Sequence, residues 1–321
     1  MKLKLKLNVL ADDGPEVGFG HISRCMVLAQ HFKRHGAAPV FLLNNSSPAV
    51  ALVKSRGFIV KQYSSFDEIV DADLILVDSY LRNDSFFQSV ASEDTFLMII
   101  DDFGQREIAC DAYFNHNFFA ADLDFSKTKS KFYFLGEDYL LVSNRFFELG
   151  AQRTRGIDFP ERILISFGGS EQGQFCWPLV SAIRSLDVDV PLTVVIPGVE
   201  SKGIPADAGD VVQLEHIDLS QAFEHHGLFV CGAGQASLEA FAARQPVIPV
   251  VIAANQQPNA LALEQRGVQV VSEFDPESIA KICCEYLCVG LNNVANSQLR
   301  KDSKLSQAVK TLITYGRSKN P

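Results

Sequence analysis

Hydrophobic and polar residues alternate at the start of the chain. Leu3, Leu5, Leu7 and Val9 interleave with Lys2, Lys4, Lys6 and Asn8, the period-two pattern of a strand. A parallel strand covered on both faces would carry fewer lysines. After a glycine-rich turn, Ile22, Met26, Ala29 and Phe32 recur at helical spacing, and Lys33, Arg34, His35 and Gly36 supply a cationic last turn and a glycine stop. Compact apolar runs follow at Pro39 to Leu43, Leu74 to Val77 and Phe96 to Ile100, separated by polar or helix-like sequence. This is the rhythm of a parallel α/β sheet. The stretch Ala151 to Pro160 breaks it and reads as a linker. A second series then runs through Arg162 to Phe167, Leu192 to Ile196, Leu228 to Cys231 and Val247 to Ile252. The pattern predicts two α/β domains, 1–150 and 151–321, and leaves open which of them the helical tail from Pro276 to Tyr315 joins.

Composition fits an ordinary globular protein: 321 residues, 47% hydrophobic and 21% charged, enough for two domains of roughly 150 residues each. The net charge of −9 argues against a general binder of nucleic acid or anionic membrane, so local donors must hold any anionic ligand. No apolar run approaches the roughly 20 residues that span a bilayer, and the lysine-interrupted N-terminus is no signal-peptide core; a cytoplasmic location is expected. The seven cysteines are odd in number and lack paired C-x-x-C spacing, against a disulfide framework or a structural zinc site. Buried thiols are expected, with Cys284 and Cys288 as a core pair on one helix face.

Polar groups gather where strands end. The run Leu74 to Val77 leads into Asp78-Ser79-Tyr80, and Phe96 to Ile100 into Asp101-Asp102, at the carboxyl edge where open α/β sheets bind ligands. The turn Gly18-Phe19-Gly20-His21-Ile22-Ser23-Arg24 places a histidine on the same edge, at a strand-to-helix joint. The helix start attracts anions and the glycines admit a ligand close to the backbone, so His21 is a candidate base; the alternative is a histidine that bonds a backbone group. Neither the dinucleotide fingerprint nor the P-loop is complete here. The second half carries two glycine-rich strand-to-helix turns, Gly168-Gly169-Ser170 and Gly232-Ala233-Gly234, the latter running on to Ser237 and Glu239. Their backbone donors suit a diphosphate, and the Glu239 carboxylate suits the two hydroxyls of a ribose. One such turn alone is equally a tight connection without ligand; two favour a nucleotide. The amides of Asn255 and Gln256 suit sugar hydroxyl or acetamido groups, with helix capping as the alternative. Together these features suggest a cleft between the domains that closes on a nucleotide-linked substrate.

These motifs carry a resemblance that covers nearly the whole chain. Ala11-Asp12-x(5)-Gly18-x-Gly20-His21-x-x-Arg24, Asp78-x-Tyr80, Asp101-Asp102 with Cys110-Asp111 and Asn115-x-Asn117, Gly136-x-x-Tyr139, Phe167-Gly168-Gly169-Ser170, the glycine turn to Glu239, and Asn255-Gln256 are its elements. The chain resembles the UDP-2,4-diacetamido-2,4,6-trideoxy-β-L-altropyranose hydrolases of pseudaminic acid biosynthesis, relatives of MurG-type glycosyltransferases. The resemblance implies a GT-B-like fold of two Rossmann-like parallel-sheet domains. It also implies that His21 is a general base directing water at the anomeric carbon, so that UDP leaves with inversion. By the same resemblance Asp12, Gly18, Gly20, Arg24, Tyr80, Asn255 and Gln256 belong to the sugar side, and Gly168, Gly169, Ser170, Gly232, Gly234, Ser237 and Glu239 to the nucleotide side. The leaving diphosphate would be stabilised by turn amides, with no metal and no cofactor. Leu10 and Ser143 stand where the family often has arginine, with Arg145 close to Ser143 in sequence. Two other readings compete: glycosyl transfer to an acceptor hydroxyl, and binding of a UDP-sugar without catalysis. A membrane acceptor would call for an apolar or basic patch on the N-terminal domain, and the pattern offers no clear one. Nothing in the sequence identifies a protein partner.

Overall fold

A computed structural model of the chain describes residues 4–13, 19–43, 49–63, 65–91, 95–153, 159–168, 173–196, 211–214, 218–290 and 304–319. The strands are β1 Leu5–Ala11, β2 Ala37–Leu42, β3 Ile59–Lys61, β4 Leu74–Asp78, β5 Phe96–Ile100, β6 Ala109–Asn115, β7 Lys129–Leu135, β8 Ile163–Ser166, β9 Leu192–Val195, β10 Val212–Leu214, β11 Leu228–Gly232 and β12 Val247–Val250. The helices are α1 Gly20–Arg34, α2 Ala49–Ser55, α3 Phe66–Val70, α4 Asp84–Val90, α5 Asn144–Arg153, α6 Gly173–Ser185, α7 Leu219–His225, α8 Gln235–Ala242, α9 Gln257–Glu264, α10 Pro276–Val289 and α11 Leu305–Lys319.

The strands form two sheets, in the orders β3-β2-β1-β4-β5-β6-β7 and β10-β9-β8-β11-β12. Every pairing within them is parallel. In each sheet the chain moves outward to one side, returns to the middle and continues to the other side. This doubly wound order creates a crevice at the carboxyl ends of the two central strands, β1 and β4 in one sheet and β8 and β11 in the other.

The chain divides into two compact units, 1–141 with 302–321, and 142–301. In the first, alternate residues of β4 serve opposite faces: Leu74 and Leu76 meet α1 and α11 through Ile22, Phe32, Val309 and Leu312, while Ile75 and Val77 meet α4 through Phe87 and Val90. Helix α1 has the expected cationic last turn, with His31, Lys33 and Arg34, and Gly36 beyond it at φ +93°. The one lysine of β1, Lys6, lies near its start, where it reaches Asp71 at 2.5 Å; further on the strand is buried. In the second unit α6 and α10 cover one face through Leu179, Ile183, Ile279 and Cys283.

The division falls at 141/142 and not at 150/151, and Ala151 to Arg153, placed in a linker, form the last turn of α5. Gly150 lies so close to α8 that a Cβ there would meet the Ala242 carbonyl oxygen at 2.5 Å, and Arg153 donates to the carbonyls of Ala243 and Phe223. The helical tail is split: α10 stays with the second unit, and α11 returns to the first, where Gly316 allows contact with Leu74. The Cys284 and Cys288 core pair is also not found. The buried stripe of α10 is Ile279, Ala280, Cys283 and Tyr286, leaving Cys284 half-buried and Cys288 exposed.

Candidate functional sites

The first site grows from the carboxyl ends of β1, β4 and β5. Asp12, just beyond β1, accepts hydrogen bonds from the backbone N–H groups of Tyr80 (2.6 Å) and Leu81 (3.0 Å), which fixes the turn after β4. Asp101, just beyond β5, accepts from the N–H groups of Phe103 and Gly104 and from the Tyr113 hydroxyl, and so shapes the loop that carries Asp102 and Phe103. The short polar residues that end the strands thus act as turn-formers.

Inside this frame lies a buried ionic cluster. His21, at the second position of α1, sets its Nδ1 2.6 Å from Asp78 Oδ1. Arg24, one helical turn on, donates from Nε to Asp78 Oδ2 (2.5 Å), from Nη2 to Asp78 Oδ1 (2.7 Å), and from Nη1 to both oxygens of Asp102 (2.9 and 2.8 Å). Asn117 adds a donor to Asp102 Oδ1 at 2.6 Å, and the Tyr80 hydroxyl donates to Asp102 Oδ2. Asp78 is fully buried, and His21, Arg24 and Asp102 nearly so. Burial alone would raise the pKa of each carboxyl group, but the Arg24 guanidinium more than reverses this and holds both below the usual carboxylate range. Burial, with Asp102 beside it, pushes the Tyr80 phenol well up, so it remains a donor.

Asp78 is ionised and only accepts, and Arg24 Nη2, 3.2 Å from His21 Nδ1, only donates. The contact to Asp78 is the shorter of the two and suits Nδ1 as the donor; in the neutral ring that tautomer puts the lone pair on Nε2. The Tyr80 ring meets the imidazole edge-on, with centroids 4.4 Å apart, and Phe103 lies 5.4 Å beyond Tyr80. Phe103 is exposed, and so is Leu81 (68%), which follows Tyr80 in the chain, so apolar side chains that the sequence did not mark stand exposed next to Tyr80.

His21, Arg24, Tyr80 and Asp12 lie together at this edge of the first sheet. Arg24 and Asp12, expected on the sugar side, also hold the frame together: Arg24 bonds Asp78 and Asp102, and Asp12 Oδ2 bonds the Tyr80 turn. Gly20 opens α1, whose first turn has no side-chain cap. Gly18 lies outside the described residues, as do Gly169 and Ser170. Asp78 and Asp102 were expected at strand ends on the edge of His21 but without a role, and Asn117 was visible only as a motif letter. Leu10, at one of the two positions where arginine was expected, is a core residue. Arg145, close in sequence to the other, pairs with Glu224 at 3.2 Å in the second unit.

The second unit has its own candidate site at the carboxyl ends of β8, β11 and β12. Gly168 follows β8 at φ +78°. Gly232 ends β11, and a Cβ there would meet Gln256 Nε2 at 3.2 Å and the Phe167 carbonyl oxygen at 3.4 Å, so glycine permits a close approach. Gln256 is held over the turn by accepting from the Ile252 N–H at 3.1 Å. Gly234 precedes α8, whose start has no side-chain cap. Ser237 is fully buried and donates its hydroxyl to the Gly234 carbonyl at 2.6 Å, bracing the turn. Glu239 is half-buried further along α8, and Asn255 is exposed in the short turn before α9, where it caps nothing. Among the described residues no three His, Cys, Asp or Glu side chains are grouped to hold a metal, and no helix is long and apolar enough to cross a membrane.

No protein-family model matches the chain. An uncharacterised protein of Methanocaldococcus jannaschii is 20% identical over 206 residues, which cover 60% of this chain and 42% of that protein, so the chain matches less than half of that relative's length. Among solved structures, MurG of Acinetobacter baumannii superposes with a TM-score of 0.65 at 14% identity, covering 98% of this chain and all of MurG. Os79 of O. sativa, in complex with UDP, gives 0.64 at 10% identity over 98% of this chain and all of Os79. The glycosyltransferase SnogD of Streptomyces nogalater gives 0.58 at 14% identity, with 98% and 100% covered. With its two doubly wound parallel sheets, the chain has the GT-B fold of these glycosyltransferases.

Proposed function

We propose that the protein is a UDP-sugar enzyme in which an oxygen nucleophile, deprotonated by His21, displaces UDP from the anomeric carbon. The observation that carries this reading is the 2.6 Å contact between His21 Nδ1 and Asp78 Oδ1 at the crevice of the first sheet. It orients the ring and leaves Nε2 as the base. The proton passes from the nucleophile's hydroxyl to Nε2, the new C–O bond forms at the anomeric carbon, and the bond to the diphosphate breaks. In the second unit, the Gly232–Gly234 turn and the uncapped start of α8 offer backbone donors to the diphosphate, and Glu239 offers a carboxylate to the ribose. Gly168 belongs to the same crevice. The chemistry proposed needs no metal.

The glycosyltransferase neighbours and the exposed apolar side chains of Leu81 and Phe103 next to Tyr80 favour an acceptor hydroxyl as the nucleophile. The motif set favours water, which would release a 2,4-diacetamido-2,4,6-trideoxy sugar with inversion. Incubation with a panel of UDP-sugars, with and without acceptor alcohols and in the presence of a chelator, tests both while proton NMR follows the anomeric signal. Acceptor-dependent UDP release supports transfer, and acceptor-independent release supports hydrolysis. If wild type leaves every UDP-sugar intact and His21→Asn behaves identically, the reading fails.

A further inference from the structure

The buried cluster does not balance its own charge. Asp78 and Asp102 contribute two negative charges and Arg24 one positive, all within direct hydrogen-bond contact. Among these three groups one positive charge is missing, and Asp12, buried beside them with its Oδ2 on the Tyr80 N–H at 2.6 Å, adds a further carboxylate and no compensating cation; an unbalanced charge in a buried site is costly. The groups that face the cluster narrow the choice of what supplies it. His116, buried beside it, is held neutral at a pKa of about 4, by burial first and then by Arg24, and its Nδ1 accepts from the Leu141 N–H at 3.3 Å. The Cys25 thiol of α1, 3.7 Å from Asp78 Oδ2, is pushed far up by burial and then by Asp78. The Tyr80 phenol is a neutral donor, and Asn117 carries no charge. His21 is the remaining base in contact with Asp78.

We infer that Asp102 is a positioning residue for the reaction: acting through Arg24, it leaves the buried cluster one positive charge short, and the imidazolium formed when His21 takes the nucleophile's proton fills that place. This rests on the reading of His21 as the base. Without Asp102, Arg24 would neutralise Asp78 alone, and a proton arriving on His21 would meet no net negative charge on that pair. Asp102 would thus serve proton uptake from one side chain away.

The test reads the imidazole directly. Nitrogen-15 NMR follows the titration midpoint of His21 in the substrate-free protein for wild type, Asp102→Asn and Asp102→Glu, with Tyr80→Phe as a charge-neutral control. The expected result is a midpoint about one pH unit or more lower in Asp102→Asn. It should return toward wild type in Asp102→Glu and stay in place in Tyr80→Phe. Should Asp102→Asn fail to fold, Asn117→Asp adds a carboxylate to the same cluster, and the midpoint should rise. In turnover, Asp102→Asn should lose about tenfold or more in kcat with KM little changed, and its acid limb should move to lower pH. An unmoved midpoint in folded Asp102→Asn, or in folded Asn117→Asp, overturns the inference. A shifted midpoint with full activity in His21→Asn would keep the charge linkage and sink the catalytic reading instead.

Discussion

His21 at the start of α1 and Asp78 at the end of β4 are 57 residues apart in sequence, yet their Nδ1 and Oδ1 atoms are 2.6 Å apart in a buried setting. The doubly wound order makes them neighbours, because the chain returns to the centre of the sheet and lays β4 beside β1. Replacing either residue should therefore damage the same step. His21→Asn and Asp78→Asn are each expected to lower turnover roughly 10²- to 10⁴-fold, and the double variant to fall little further, since the two act as a unit. UDP release assays on the three variants check this. Calorimetry should show UDP binding retained, because the proposed nucleotide turn lies in the other unit.

Gly232 predicts a separable defect. A bulky side chain at this position would press on Gln256, Ile252 and the Phe167 carbonyl. Gly232→Val is expected to fold, because Gln256 can swing away, while UDP affinity drops about tenfold or more. Calorimetric titration with UDP measures it, and unchanged affinity would remove this turn from the nucleotide site.

Gly150 tests the unit boundary. A methyl group there would overlap the Ala242 carbonyl, a backbone atom that cannot rotate away, so α5 must shift from α8. Gly150→Ala should destabilise the second unit by about 1–3 kcal/mol, whereas Ala151→Ser, on the exposed side of α5, should stay within about 0.5 kcal/mol. Urea denaturation of both variants makes the comparison.

Stability should fall in mildly acidic solution. His116 and His31 are both held at a pKa of about 4, by burial first, then by Arg24 for His116 and by Arg34 and His35 for His31. The unfolded chain takes up these protons near pH 6.5. Between about 6.5 and 4 it binds more protons than the folded chain, so stability declines as pH drops through that window, while above it these histidines exert no such pull. The contributions of Asp78 and Asp102, whose pKa values are depressed, persist above about pH 4 and are lost only below it. Urea midpoints at pH 7.5, 5.5 and 4.5 should show the decline, and His31→Gln should flatten it.

Much of this architecture is legible in the order of residues. Continuous apolar runs such as Leu74 to Val77 and Phe96 to Ile100 mark central strands covered on both faces, and both appear in the structure. The strands that escape the pattern are short or bear charges. Ile59–Lys61 and Val212–Leu214 are three-residue edges, and Lys129–Leu135 alternates with lysine because it too lies at an edge. At the candidate site the turn chemistry singled out His21, since glycines beside a titratable side chain are a local signal. Its partnership with Asp78 and the link to Asp102 through Arg24 are long-range, and a single sequence carries no mark of them. For the same reason the bonds that Arg24 makes to Asp78 and Asp102, and that Asp12 Oδ2 makes to the Tyr80 turn, could not be read from the motifs that mark these residues.

The return of α11 to the first unit has a consequence for biosynthesis. Leu305, Val309 and Leu312 of this helix fill the core under β1 and β4, yet they are translated after all of 142–301. The second unit is contiguous and can acquire its shape while still tethered to the ribosome. The first must wait, with part of its apolar face uncovered, although it leaves the exit tunnel earlier. The core of the first unit can thus be completed only once 142–301 has been made.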